Sequence, residues 1–186
     1  MKTLIPLQFL LLVLFSACSH AKEPIRIIEG VVTKVSDGDT IHVQDRLGTK
    51  VKVRLYGIDA PETEKRNRKT GRVSKQGQPF GEEASESLTA KVYRRPVKIE
   101  VIDMDRYKRA VSIVWQGNRN VNAALVREGL AWAYREYLDR PYASEYLQAE
   151  EGARKGKRGL WQQPNPQPPW EFRRSLKAKR YALTGR

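Results

Sequence analysis

The sequence is poor in the residues that most often carry metal and hydrolytic chemistry. It holds one cysteine, Cys18, and two histidines, His20 and His42, among 186 residues. A single cysteine excludes an internal disulfide framework. His20 falls at the end of an apolar leading segment, which leaves His42 alone for the body of the chain. A histidine-based zinc site or a histidine-dependent hydrolytic mechanism therefore has no material. No Gly-rich phosphate loop, no Ser-His-Asp order and no internal repeat appears. Acid is the scarcer charge: 21 Asp and Glu stand against 35 Lys and Arg, a formal +14. Such an excess favours a polyanionic partner, whether nucleic acid or an anionic membrane surface, and leaves the fold undetermined.

Positions 1–21 read as a targeting segment. Lys2 supplies a short positive region, Leu4 to Phe15 form an apolar run too short for a comfortable membrane span, and small residues follow. Cleavage after Ser19-His20-Ala21 is one expectation. The other is lipidation of Cys18, because Phe15-Ser16-Ala17-Cys18 resembles a bacterial lipoprotein box. Either reading implies an exported protein, periplasmic, secreted or membrane-anchored. Residues 22–165 are expected to form one domain, followed over 166–186 by a proline-rich linker and a basic tail. That tail carries Arg173, Arg174, Lys177, Lys179, Arg180 and Arg186 against Glu171, and reads as a disordered arm or a short helix.

Within the domain, residues 24–35 are β-rich, with Gly30 marking a bend or bulge. Ile41 and Val43 alternate with polar neighbours, as do Val51, Val53 and Leu55. The turn Asp45-Arg46-Leu47-Gly48 between them predicts a hairpin. Residues 63–78 carry six Lys or Arg against Glu64 and no apolar periodicity, which predicts an exposed flexible loop able to guide a phosphate backbone. A helix is expected over 81–93, with Ala84, Leu88 and Val92 on one face. Strands follow at 97–101 and 110–115. Asn120 or Asn122 can cap a helix running to Glu128 and stopped by Gly129, and a last helix is expected over 143–155. Five strands interleaved with about three helices give an α+β class, and they suit a small Greek-key barrel. The four tryptophans read as packing residues.

Two stretches concentrate chemistry: Asp37-Gly38-Asp39-Thr40, and Val53-Arg54-Leu55-Tyr56-Gly57-Ile58-Asp59-Ala60-Pro61-Glu62. The hairpin brings Asp39, Asp59 and Glu62 to one edge of a sheet, with Arg54 a few residues before the acids. Clustered carboxylates beside a guanidinium suit a hard cation and a phosphate. These stretches resemble the staphylococcal nuclease (thermonuclease-like) family. The likeness continues in order through Gln78-Pro79-Phe80-Gly81-Glu82-Glu83-Ala84, Asp105-Arg106-Tyr107-Lys108-Arg109, residues 121–131 and Gly159-Leu160-Trp161, covering about residues 25–165.

The resemblance implies an OB-fold and a Ca²⁺-dependent nuclease that hydrolyses DNA and RNA without sugar preference, leaving 3′-phosphate ends. By the same resemblance Asp39, Asp59 and the backbone carbonyl of Ala60 would hold the metal. Glu62 would serve as general base, Arg54 and Arg109 would grip the scissile phosphate, and Tyr107 and Tyr134 would lie near substrate. Asp37 would orient metal-bound water. The family commonly has Gly where this chain has Lys108, so a positive φ there would be strained. Two other readings stay open: an OB-fold that holds single strands without cutting them, and an envelope protein whose basic tail binds anionic lipid. Nothing demands a dimer or a protein partner, and a monomer is expected.

Overall fold

A computed structural model describes residues 23–185. The expected cleavage and lipidation positions, Ala21 and Cys18, lie outside the described residues. Five strands close a barrel: β1 (Arg26–Asp37), β2 (Thr40–Asp45), β3 (Lys50–Leu55), and, after an interval described below, β7 (Pro96–Met104) and β8 (Ala110–Gln116). β1 pairs antiparallel with both β2 and β7, β7 with β8, and β8 closes the ring by pairing parallel with β3. The β2–β3 hairpin turns as expected, with Gly48 at φ 81° and Asp45 Oδ1 accepting the Leu47 and Thr49 N–H groups at 2.9 and 2.8 Å. β1 serves two neighbours by bending. Its pairing with β2 shifts between Val32 and Lys34 and again between Val35 and Asp37. These shifts, and not Gly30, mark the irregularities. Gly30 lies where β1 pairs with both Asp45 and Val97, and a Cβ there would run into the Gln44 carbonyl.

Between β3 and β7 lie β4 (Ile58–Asp59), β5 (Lys65–Arg66), β6 (Val73–Lys75) and helix α1 (Gly81–Val92). The basic stretch expected as a flexible loop is therefore a short hairpin, β5 pairing with β6. Apolar periodicity could not reveal it, because most of the hairpin is exposed. Its order comes from Asn67, whose Oδ1 accepts the Lys69 and Thr70 N–H groups at 2.9 and 3.1 Å.

Beyond β8 come β9 (Arg119–Asn120), α2 (Val121–Arg127), β10 (Trp132–Ala133), α3 (Tyr142–Lys155) and α4 (Pro169–Thr184), so among the described residues the three expected helices are joined by a fourth, the helical alternative for the basic tail. The faces read from the periodicity are buried: Ala84, Leu88 and Val92 on α1, and Tyr146, Ala149 and Ala153 on α3. Asn120 is the α2 cap, accepting the Ala123 N–H at 3.1 Å. Asn122 does something else. Fully buried, it donates to the Tyr56 and Ser112 carbonyls (3.0 and 3.1 Å) and accepts the Val114 N–H (3.0 Å), tying α2 to β8 and to the end of β3.

Two devices position the strand that carries Asp59. Gly57, at φ 69°, turns the chain from β3 into β4, and a side chain there would meet Leu138. β4 pairs with β10, whose Ala133 N–H donates at 3.0 Å to Glu150, a buried carboxylate on α3 that Arg135 and Arg154 neutralise. Among the described residues no helix is long and apolar enough to cross a membrane.

The expected barrel is thus present, and two of its details can be tested. Replacing Asn122 by Ala strands the buried Val114 N–H and Tyr56 carbonyl, while the Ser112 carbonyl keeps the Tyr56 N–H at 2.7 Å, so urea unfolding should show a loss of about 2 kcal/mol or more. A loss below about 1 kcal/mol would contradict the bridging role. Lys108 does sit at positive φ, 59°, in the turn between β7 and β8. Lys108→Gly should therefore raise stability by about 1 kcal/mol in the same assay.

Candidate active site

The β1–β2 turn and the β3–β4 connection meet at one mouth of the barrel. Gly38 allows this approach, since a Cβ on it would lie 2.8 Å from the side chains of both Ala60 and Ala84. Asp39 is tied across the gap: its carbonyl accepts the Leu55 N–H at 2.9 Å and its Oδ2 accepts the Ala60 N–H at 3.0 Å. Residues 60 and 62 follow β4 directly. Glu62 is fixed by Gln78, whose Oε1 accepts the Glu62 N–H (3.1 Å) and whose N–H donates to the Glu62 carbonyl (2.7 Å). The motif Gln78-Pro79-Phe80-Gly81 thus positions Glu62 as well as opening α1.

A cleft of about 860 Å³ opens at this mouth, and all nine site residues expected from the sequence line it: Asp37, Asp39, Arg54, Asp59, Ala60, Glu62, Tyr107, Arg109 and Tyr134. Arg54, projecting from β3, forks between two acids. One arm pairs with Asp39 and the other donates to Asp59 Oδ1 at 2.7 Å. Arg54 is largely buried and Asp59 fully so. Burial by itself would weaken the Arg54 charge, but Asp39 and Asp59 outweigh it and raise its pKa.

The acids divide the neutralisation unequally. For Asp39, burial opposes ionisation, yet the Arg54 charge and the Ala60 N–H prevail and hold its carboxyl below the usual range. Burial pushes Asp59 up, because the charge of Asp39 adds to it and the guanidinium does not fully compensate. Asp37, buried beside the Asp39 charge, is raised to about 6. Lys65 of the β5–β6 hairpin stands 3.9 Å from it.

Arg109 takes up a different position. It lines the cleft from the β7–β8 turn, where Asp105 organises it: Oδ2 accepts from Arg109 Nε at 2.7 Å, and Oδ1 accepts the N–H groups of Tyr107 and Arg109 at 2.9 Å each. Tyr107 is exposed, with the Arg109 guanidinium 5.6 Å from its ring centre. Tyr134 also lines the cleft, and one of its faces is covered: Trp170 of α4 stacks on it, ring centres 4.9 Å apart and planes within 2°. Trp170 also meets Trp132 edge-on at 5.7 Å, and Trp132 meets Trp161 at 4.4 Å, so three of the four tryptophans form one packed cluster, as expected of packing residues.

Several partners of the expected residues escape a reading of the sequence. Arg173 of α4 donates to Glu62 Oε1 and Asp59 Oδ2, each at 2.8 Å, and Lys75 of β6 pairs with Glu62 Oε2. Asp105 lies inside a family-like motif in which the resemblance gives it no role. The signal for Lys75 is its place in the basic stretch. For Arg173 there is none, because the pairing joins residues 114 positions apart. Among the described residues, no three acidic, histidine or cysteine side chains converge to hold a metal alone. A hard cation would need main-chain or water oxygens beside Asp39 and Asp59.

Comparison with known proteins gives the family. The family described as "Staphylococcal nuclease homologue" matches residues 52–163. An "Uncharacterized endonuclease" of Haemophilus influenzae is 35% identical over 176 residues, covering 95% of this chain and 87% of that protein. A "Micrococcal nuclease" of Shigella flexneri is 37% identical over 157 residues, 80% of this chain and 82% of its own. "Protein ParB" of Escherichia coli is 40% identical over 163 residues, 82% and 83% respectively. With its barrel closed and its acids and arginines gathered at one mouth, the chain belongs to the staphylococcal nuclease family.

Proposed function

We propose that this protein is an exported, Ca²⁺-dependent endonuclease that hydrolyses phosphodiester bonds of DNA and RNA and leaves 3′-phosphate ends. The observation that carries the reading is the buried Arg54 fork between Asp39 and Asp59, with Glu62 and Arg109 lining the same cleft. The relatives named as nucleases support the reaction class.

The donor set fits a hard cation. Asp39 and Asp59 are buried oxygen donors, the main chain at Ala60 adjoins them, and the cluster draws in positive charge from three side chains, Arg54, Lys75 and Arg173. Asp39, Asp59 and the Ala60 carbonyl would hold Ca²⁺, with Asp37 acting on its water. When bound, the ion would supply Lewis-acid polarisation of a phosphoryl oxygen.

The chain's own residues do the rest. Arg54 and Arg109 bind the phosphoryl oxygens and balance the charge that grows in the transition state. Glu62 takes a proton from a water attacking phosphorus. The bond to the 5′-oxygen breaks in line, that oxygen leaves and takes a proton from solvent water, and the phosphate stays on the 3′ side. Tyr107 and Tyr134 contribute aromatic surface beside the phosphate site. Contacts to phosphate and metal, rather than to base edges, make the cleavage indifferent to sequence and sugar. The exposed β5–β6 hairpin, with Arg68 and Lys69 at its turn, steers the polyanion toward the cleft.

Two measurements test this. Digestion of single-stranded DNA and RNA with Ca²⁺ should fall about 10²- to 10³-fold in Glu62→Gln and in Arg54→Lys, because a point charge cannot replace the two-armed fork. Near-normal turnover in Arg54→Lys would refute the bidentate role, and tight binding without cleavage by the unaltered protein would leave an OB-fold binder. The double substitution Arg68→Ala, Lys69→Ala should weaken substrate binding and flatten its salt dependence by about one to two units of log–log slope, with kcat retained. An unchanged slope would make the hairpin a bystander.

A further inference from the structure

The general-base carboxylate is closed on both sides. Glu62 Oε2 pairs with Lys75 and Oε1 accepts from Arg173 at 2.8 Å. The same guanidinium reaches both oxygens of Asp59, at 2.8 and 3.3 Å, while Arg54 holds Asp59 Oδ1 from below. A carboxylate with both oxygens turned to cations does not aim at a water, so this arrangement cannot be the one that activates it. A divalent cation on Asp59 would also meet a guanidinium already in place.

The two arginines differ in how firmly they are held. Arg54 is 14% exposed and projects from a barrel strand; Arg173 is 43% exposed and projects from a helix that touches the body through few residues. α4 follows Pro164, Pro166 and Pro168, is anchored by Pro169 and by Trp170 on Tyr134, and is exposed beyond Leu176. Gln78 adds a hydrogen bond from its side chain to the Gln167 carbonyl at 3.0 Å. The carboxylates that Arg173 pairs with are buried but its guanidinium is half-exposed, so a stronger cation can reach the pair from solvent and take its place.

We propose that Arg173 is an intramolecular cation that caps Asp59 and Glu62, and that α4 is a strap holding the site closed until a divalent cation displaces that guanidinium. The inference rests on the metal-site and general-base reading given above. It makes metal binding and opening of the general base a single event: a cation that takes Asp59 removes the guanidinium that also blocks Glu62. An affinity measured against a closed state is reduced by the open fraction, so a strap closed nine-tenths of the time weakens apparent Ca²⁺ binding about tenfold.

Calorimetric titration of Ca²⁺ alone into the purified protein tests the strap without any substrate. Arg173→Ala, and Trp170→Ala, which frees the helix while keeping the guanidinium, should each bind Ca²⁺ about tenfold more tightly. Arg174→Ala removes the same charge from the neighbouring position and should match the parent. Thermal melts identify any variant that has lost its fold. Unchanged or weaker affinity in folded Arg173→Ala overturns the proposal, as does an absence of Ca²⁺ binding in every protein. In a parallel cleavage assay, Arg173→Ala should reach half-maximal rate at about tenfold less Ca²⁺, with kcat at saturating Ca²⁺ preserved. A fall in that kcat would instead place Arg173 in the catalytic machinery and also overturn it. If the parent binds Ca²⁺ but cuts neither DNA nor RNA, the nuclease reading fails while the calorimetry still decides the strap.

Discussion

Four carboxylates can share one cleft only if positive charge is delivered among them. Asp37, Asp39, Asp59 and Glu62 converge where two connections of the barrel meet, and burial makes each charge costly. Arg54 is the residue that makes the arrangement tenable. Its planar fork satisfies Asp39 and Asp59 together, and its permanent charge cannot be titrated away under the acids. A lysine would offer one point charge where one arm of Arg54 bonds Asp59 and the other pairs with Asp39. The geometry of the rim follows from this pair. Asp39 also receives the Ala60 N–H, so the same ion pair that balances charge also joins the β1–β2 turn to the residues following β4.

The barrel supplies the rigidity this needs. β3 carries Arg54 between β2 and β8, paired on both edges, so the guanidinium leaves a strand that cannot shift without breaking two ladders. Asn122 and Glu150 extend that rigidity outward. One ties α2 to the end of β3, and the other ties α3 to β10 and through it to Asp59. Each is a buried polar group with its partners in place, which is costly to disturb and specifies one arrangement of the elements around the site. Arg109 is built differently. It depends on a turn organised by Asp105, and Lys108 holds that turn at a left-handed φ unfavourable for a residue with a side chain.

Much of this is legible in the sequence because the signals are local. The β2–β3 hairpin follows from alternation on either side of Asp45-Arg46-Leu47-Gly48, and the buried faces of α1 and α3 follow from helical spacing. Asp39, Arg54, Asp59 and Glu62 can be grouped because they lie close together in the chain, at or just beyond the ends of those strands. What cannot be read depends on distant or non-apolar partners. The β5–β6 hairpin has no buried face to leave a period, and its order resides in an asparagine turn and in pairs to Asp37 and Glu62. α4 reads as a basic tail because its docking residues, Pro169 and Trp170, are few. Trp132 and Tyr134, the ring partners of Trp170, belong to a segment on the far side of α3 in the chain. Asn120 and Asn122 are equivalent as sequence, and only the register of α2 against β8 separates the cap from the bridge.

The cations added by Lys75 and Arg173 bear on folding as well as on chemistry. A metal site assembled only from acids would repel itself in the apo protein, and its formation would then depend on the ion. Here the outer acids find side-chain partners of the same chain, so the carboxylates adopt nearly one rim without an external cation. The consequence is a trade between stability and affinity. On the strap proposal, an intramolecular cation on the outer carboxylates is moved aside before an external one can take those oxygens. The chain places its deepest cation, Arg54, on a strand where it stays, and its shallower one on a helix tethered through prolines and one stacked tryptophan. If the strap opens as proposed, the charge that secures the fold and the charge that leaves before chemistry are carried by different residues.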